Sequence, residues 1–185
     1  MIYPIRAFGD PILRAKCQEI TAFDDDFKKL IADMYETMDA SDGVGLAAPQ
    51  IGKNVRLFLI DSTVFDSEKE NIGVRKAFVN PQIVEETGEE WPFEEGCLSI
   101  PDVREDVIRK PALILKFQDE TGQHFQERYD GMTARVIQHE YDHIEGVLFI
   151  DHVSAFKRQL IKSKLTNISK GKVNVRYRMK FHKGK

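Results

Sequence analysis

The chain has 185 residues, 42% of them apolar and 31% charged, a balance that supports a buried core and excludes wholesale disorder. No apolar run is long enough to cross a bilayer, and the opening Met1-Ile2-Tyr3-Pro4-Ile5-Arg6 is neither a secretory signal nor a transit peptide, so a cytoplasmic protein of one domain over residues 1–185 is expected. The net charge of −3 is unevenly spread: from Lys157 to Lys185 there are eleven Lys or Arg and no Asp or Glu, leaving an acidic body with a basic tail that suits either an anionic partner or a solvated position on that body.

In chain order, Phe27, Leu30, Ile31, Met34, Tyr35 and Met38 recur at helical spacing, which predicts a helix from about Asp24 to Met38. Asp24, Asp25 and Asp26 complement its positive end. Strands are expected at Val55–Ile60, at Ala77–Glu85 with an interruption at Pro81, and at Val107–Asp119 with one at Pro111. Thr121-Gly122 reads as a hairpin turn into a strand from His124 to Tyr129. A second helix should run from about Thr133 to Glu145 and close at Gly146. Ser154 caps a third, reaching about Leu165. Val173, Val175, Tyr177, Met179 and Phe181 then alternate with polar residues, the period of a strand. The mixed order of elements predicts an α+β fold. In it antiparallel or mixed sheets surround a central helix, and a basic helix–strand extension occupies about 154–185.

That central helix carries His139-Glu140-Tyr141-Asp142-His143. Histidines four apart lie on one helical face about one turn from each other and can converge on a metal ion, with Glu140 within reach of a water held there. A catalytic site needs a third protein ligand and an open position. The continuation His-x-x-Gly-x-x-His fails, because Phe149 stands where its third histidine would be, and residues 155–185 contain no acidic ligand for the other common route. Of the two cysteines, Cys17 reads as a small buried residue. Cys97 lies in Glu95-Gly96-Cys97-Leu98-Ser99, where Gly96 permits an unusual backbone that would expose a thiolate. One sulfur and two imidazoles make a sensible hydrolytic metal site, for iron and zinc alike.

A third segment, Gly43-Val44-Gly45-Leu46-Ala47-Ala48-Pro49-Gln50, is rich in small residues and implies close backbone approach. Together, Gly43–Gln50, Glu95–Ser99 and Gln138–His143 resemble, in order and at every fixed position, the three signature motifs of the peptide deformylases, over roughly residues 1–165. The resemblance implies a metal-dependent hydrolase that removes the formyl group from the initiator formyl-methionine of nascent polypeptides. The alternative is another peptidase with the same helix motif. It implies Cys97, His139 and His143 as ligands of one divalent ion, Fe2+ first, with Zn2+, Ni2+ or Co2+ able to substitute. Glu140 would be the proton carrier, and the Gln50 side chain and Leu98 N–H the oxyanion donors. Val44, Met132 and Val136 would wall a pocket for the methionine side chain, and Asp142 would orient a histidine or a basic neighbour. Backbone of Val44, Gly45 and Leu46 and of Glu95 and Gly96 would pair with an added substrate strand, near Arg104. Many bacterial members end near the last helix. Here the chain continues, and its basic end is expected to dock near the ribosomal exit tunnel, on rRNA or protein, with no membrane involved.

Overall fold

The computed structural model describes residues 1–65 and 73–182. Its strands are β1 (Ile5–Arg6), β2 (Gly45–Ala47), β3 (Leu57–Asp61), β4 (Arg75–Thr87), β5 (Trp91–Cys97), β6 (Ile100–Arg109), β7 (Ala112–Gln118), β8 (His124–Asp130) and β9 (Met179–Lys180). Its helices are α1 (Asp25–Ala40), α2 (Gly131–Ile144) and α3 (Ala155–Ser169). An antiparallel sheet of order β2-β3-β4-β7-β8 forms the centre, β5 and β6 make a separate antiparallel pair, and β1 and β9 pair in parallel. The α+β expectation holds. No helix among the described residues is long and apolar enough to cross a membrane.

The run Leu57-Phe58-Leu59-Ile60 explains the layering. Phe58 and Ile60 face the cluster under α2, while Leu57 and Leu59 face the cluster under α1. A strand covered on both faces reads as continuous apolar sequence rather than as an alternation. Ala77 and Val79 on the α1 side and Phe78 on the α2 side repeat the pattern on β4, each large side chain contributing about 1.5–3 kcal/mol. A third cluster joins α3, through Ile161, Leu165 and Ile168, to Val103 and Val107 of β6 and to Leu148 and Phe149.

Local chemistry sets the ends of the helices. The Asp24 carboxylate accepts from the Phe27 N–H at 2.9 Å, and Asp25 and Asp26 fill the first turn of α1. Ser154 caps α3 through the Lys157 N–H. The α2 carbonyl at Ile144 accepts from the Cys17 N–H at 2.9 Å, and Gly146 turns the chain at φ +77°.

Two expected strands differ. The run predicted from Val107 to Asp119 is two strands in different sheets, because Pro111 offers no N–H and biases Lys110 to turn the chain. At Pro81 the opposite happens: β4 continues through a register shift between Val79 and Gln82, with Asn80 at φ +48°. The Asn80 side chain holds that bulge by bonds to the Ile20 N–H and C=O, at 2.8 Å each. In the tail, exposure alternates from Val173 to Phe181 as the sequence predicts. Only Met179–Lys180 gains a strand partner, since β1 is two residues long.

A Cβ at Gly146 would lie 2.6 Å from the Arg14 carbonyl oxygen in a backbone region closed to L side chains. Gly146→Ala is expected to destabilise the protein by about 2 kcal/mol or more in urea unfolding. A change under about 0.5 kcal/mol would show that the α2 terminus relaxes freely.

Candidate metal centre

Helix α2 is buried along most of its length, so its polar side chains must find partners inside the protein. His139 and His143 project from successive turns with ring centroids 5.2 Å apart. Strand β5 delivers the third group. Glu95 and Cys97 are two residues apart in it, and both meet α2: the Cys97 Sγ lies 3.3 Å from the His143 Nε2, and the Glu95 Oε2 accepts from the His139 Nδ1 at 2.9 Å. Gly96 adopts ordinary extended backbone, contrary to the expectation from sequence. The irregularity lies instead in the ladder, whose register shifts between Gly96 and Cys97 where the cysteine meets Ile100 of β6.

Donor atoms of Cys97, His139 and His143 all lie within 4.8 Å of one another, and they are the one such group among the described residues. A tetrahedral ion with metal–sulfur and metal–nitrogen bonds of about 2.3 and 2.1 Å would set its ligand atoms roughly 3.5 Å apart, which this arrangement accommodates. With Nδ1 engaged by Glu95, His139 keeps Nε2 for an ion. Burial by itself would raise the Cys97 thiol, but the two histidines outweigh it and hold the group at about 5, so sulfur is a thiolate at neutral pH. Burial pushes the Glu140 carboxyl up to about 7 against the pull of both histidines, and its Oε2 has no hydrogen-bond partner among the described residues. A buried acceptor left open beside three metal donors fits a water carried by the ion.

Behind the donors lies a buried ion network. Glu95 accepts from Arg109 Nε at 2.8 Å and Nη2 at 3.1 Å, and from Arg135 Nη1 at 3.2 Å. Despite its burial, these cations and His139 hold its carboxyl well below the usual range. Asp142 accepts from Arg109 Nη1 at 2.9 Å and from His152 Nε2 at 2.8 Å. It therefore grips a basic neighbour, one of the two options its position left open. Phe149, which occupies the place of a third histidine, stacks on the His139 ring at 6.1 Å.

The donors open into a cleft of about 780 Å³. Val44, Gly45, Gln50, Gly96, Leu98, Arg104, Met132 and Val136 line it with Glu95, Cys97, His139 and Glu140, while His143 sits buried behind them. Leu46 does not join them, because the alternation of β2 sends its side chain into the α1 core. Gly45 has no room for a side chain: a Cβ there would collide with the Glu140 carboxylate. Gln50 is fixed at both ends, its Oε1 accepting from the Ala47 N–H at 2.8 Å and its Nε2 directed at Cys97 Sγ, 3.4 Å, and Ser99 Oγ, 3.3 Å. Sequence reasoning did not single out Arg109 and Arg135, which meet on Glu95, or Asn174–Tyr177 of the tail, which line the cleft.

Residues 2–159 match the sequence profile described as polypeptide deformylase. A peptide deformylase of Cytophaga hutchinsonii is 59% identical over 181 residues, which cover 98% of each chain. One from Christiangramia forsetii is 53% identical over 193 aligned positions, covering 100% of this chain and 98% of the relative. Among solved structures, the peptide deformylase from Legionella pneumophila superposes with a TM-score of 0.81 at 38% identity, over 93% of this chain and 98% of that one. That from Thermotoga maritima has a TM-score of 0.75 at 43% identity. It is covered over 99% of its length but covers 83% of this chain, so part of this chain has no counterpart there.

The two cysteines should differ sharply toward iodoacetamide. Burial pushes the Cys17 thiol up to about 11, whereas Cys97 sits on the cleft wall as a thiolate above about pH 5. In metal-free folded protein at pH 6.5, peptide mass spectrometry should find Cys97 alkylated and Cys17 unmodified, with the rate falling as pH drops through about 5. Equal labelling of both would contradict this electrostatic picture.

Proposed function

The chain belongs to the polypeptide deformylase family, and we propose on that premise that it releases formate from the formyl-methionine that begins a nascent polypeptide. The observation that carries the reading is the meeting of Cys97 with His139 and His143 beside the unpartnered Glu140 oxygen. A divalent ion held by those three residues, Fe2+ first among the candidates and Zn2+, Ni2+ or Co2+ able to replace it, supplies when bound a water acidic enough to attack at neutral pH. The Glu140 carboxylate, with its open oxygen, would take a proton from the attacking water and later give one to the departing amine, and its burial raises its affinity for that proton. Gln50 Nε2 and the Leu98 N–H would donate to the formyl oxygen as attack at its carbon turns it into an oxyanion, such donors each being worth about 3 kcal/mol.

The apolar side chains of Val44, Met132 and Val136 receive the methionine. β2 and β5 each have a neighbour on one side only in their sheets, and both border the cleft. A peptide can therefore lie between them as an added strand, through backbone of Val44 to Leu46 and of Glu95 and Gly96, with Arg104 alongside. The rival reading, a peptidase of the same helix motif, has no third histidine or late glutamate to serve it. Residues 1–185 act as one catalytic domain in the cytoplasm.

The basic end is assigned to the ribosome surface near the exit tunnel. Lys157 is tied to Glu105 at 3.1 Å, but Arg158, Lys162 and Lys164 stand exposed beside Phe156 and Leu160. Phosphate-rich rRNA suits such a face.

Formate release from formyl-Met-Ala-Ser by iron-loaded, anaerobically purified protein tests the reaction. Glu140→Ala should keep the metal and lose roughly 10²–10⁴-fold in kcat, and Cys97→Ala should lose the metal. Cleavage of an internal peptide bond with no formate released would sink the reading in favour of the peptidase.

Docking calls for a gentler variant than truncation, because Ile161, Leu165 and Ile168 of α3 are buried in the third cluster. Reversing Arg158, Lys162 and Lys164 to Glu should abolish co-sedimentation with ribosomes at low salt and leave formate release unchanged. Undiminished co-sedimentation would remove the ribosome from the proposal.

A further inference from the structure

The tail beyond α3 does more than cover the third cluster. Gly171 reverses the chain, and Val173, Met179 and Phe181 pack on the third cluster. Residues Asn174 to Tyr177 then pass along the cleft that holds Cys97 and Glu140. The strap is anchored at its far end: the Ile5 N–H donates to the Arg178 carbonyl at 2.8 Å and the Ala7 N–H to the Lys180 carbonyl at 3.0 Å. Between these anchors the Tyr177 hydroxyl donates to the Leu98 carbonyl at 2.8 Å.

Leu98 is where that bond counts. Its own N–H belongs to the peptide shared with Cys97, and its carbonyl to the peptide shared with Ser99. The Ser99 carbonyl is held by the Phe8 N–H at 2.8 Å and the Ser99 hydroxyl by Gln50 Nε2 at 3.3 Å. The turn after Cys97 is thus pinned at Ser99 from the β1 side. Cys97 and Ile100 pair across the same turn, and Tyr177 adds a constraint on the Leu98–Ser99 peptide, one φ/ψ pair away from the Leu98 N–H. Its ring packs against the α1-side cluster, and burial holds its hydroxyl above the ordinary tyrosine range, so it stays a protonated donor.

We infer that Tyr177 is a positioning residue for the reaction: through the Leu98 carbonyl it fixes the direction in which the Leu98 N–H points, making the C-terminal strap part of the active site. This rests on the deformylase reading and on Leu98 as an oxyanion donor. Donors aimed at developing charge must be rigid, and a misplacement of about 1 Å can cost on the order of 100-fold in rate. Loosening one neighbouring peptide while leaving the donor in place should cost less.

Tyr177→Phe keeps the packed ring and removes only the hydroxyl. Compared with wild type in the iron-loaded full-length protein, it should lower kcat for formyl-Met-Ala-Ser on the order of ten-fold and move KM less than about two-fold. Bound iron should be unchanged, and the melting temperature should stay within about 3 °C of wild type. In parallel, 15N relaxation of zinc-loaded, selectively 15N-leucine-labelled protein should show the order parameter of the Leu98 amide falling from about 0.85 toward about 0.6. An unchanged kcat, a loss confined to KM, a loss of metal, a larger fall in melting temperature, or an unchanged Leu98 order parameter each overturns the assignment. If wild type releases no formate, the deformylase reading has failed on its own, and the Leu98 order parameter alone decides whether the strap pins that turn.

Discussion

The structure depends most heavily on the neutralisation of Glu95 inside the protein. This carboxylate is 5% exposed, and its two oxygens accept from Arg109, Arg135 and His139 at 2.8–3.2 Å. An isolated buried charge costs far more than a domain of this size can carry, and it persists only when paired and fully hydrogen-bonded. Glu95 meets both conditions, and in doing so it joins elements distant in sequence: β5, which carries it, β6 through Arg109, and α2 through Arg135 and His139. Removing the Glu95 carboxylate leaves Arg135 without its charge partner and Arg109 with Asp142 alone, a loss of about 3–5 kcal/mol.

The same network decides how the central helix can be so polar. Helix α2 buries Arg135, Gln138, Glu140 and His143 where a core helix would ordinarily show aliphatic residues. Arg135 spends its donors on Glu95, the Val107 carbonyl at 2.9 Å and the Trp91 carbonyl at 2.8 Å, and lies over the Trp91 ring at 4.5 Å. Asp142 holds the second guanidinium from the helix side. These contacts fix α2 against β5 and β6, while Ala134 and Ile137 fix it against the central sheet. Polar contacts on one side and apolar contacts on the other leave the helix a single rotation about its axis, and that rotation aims the two histidines.

Much of this was legible from residues alone, wherever the signal was local. The four-residue spacing of the histidines, Gly146 at the helix end, the acidic start of α1 and the alternation of the tail all belong to one element at a time, and the structure carries each of them. What escaped depends on long-range pairing. Strand β5 contains Pro92, Glu94 and Glu95, residues poorly suited to a strand, and it exists because β6 supplies its ladder. Arg109 and Arg135 do not stand out until Glu95 is placed between them. The run through Pro111 is apolar enough to read as one strand, yet its two halves serve different sheets. Gly96 seemed to need a special backbone, and the irregularity lies instead in the register shift after it.

The origin of the third donor follows from this division. Two histidines on one helix come with their geometry built in, four residues and one turn apart. A cysteine from a strand has no such guarantee, since its distance to the helix is set by how β5 docks on α2. That is why groups far apart in the chain converge behind a small site. Glu95 holds His139 from the strand carrying Cys97, Gln50 reaches Cys97 from the segment after β2, and Tyr177 reaches Leu98 from the far end of the tail. The sulfur offers something in return. His139 and His143 already keep it as a thiolate near neutral pH, while the His139 imidazole holds its own proton more tightly, so an incoming cation displaces a proton from the imidazole rather than from sulfur. The same readiness makes Cys97 the exposed end of the design, because a thiolate on a cleft wall is the form that oxidants attack.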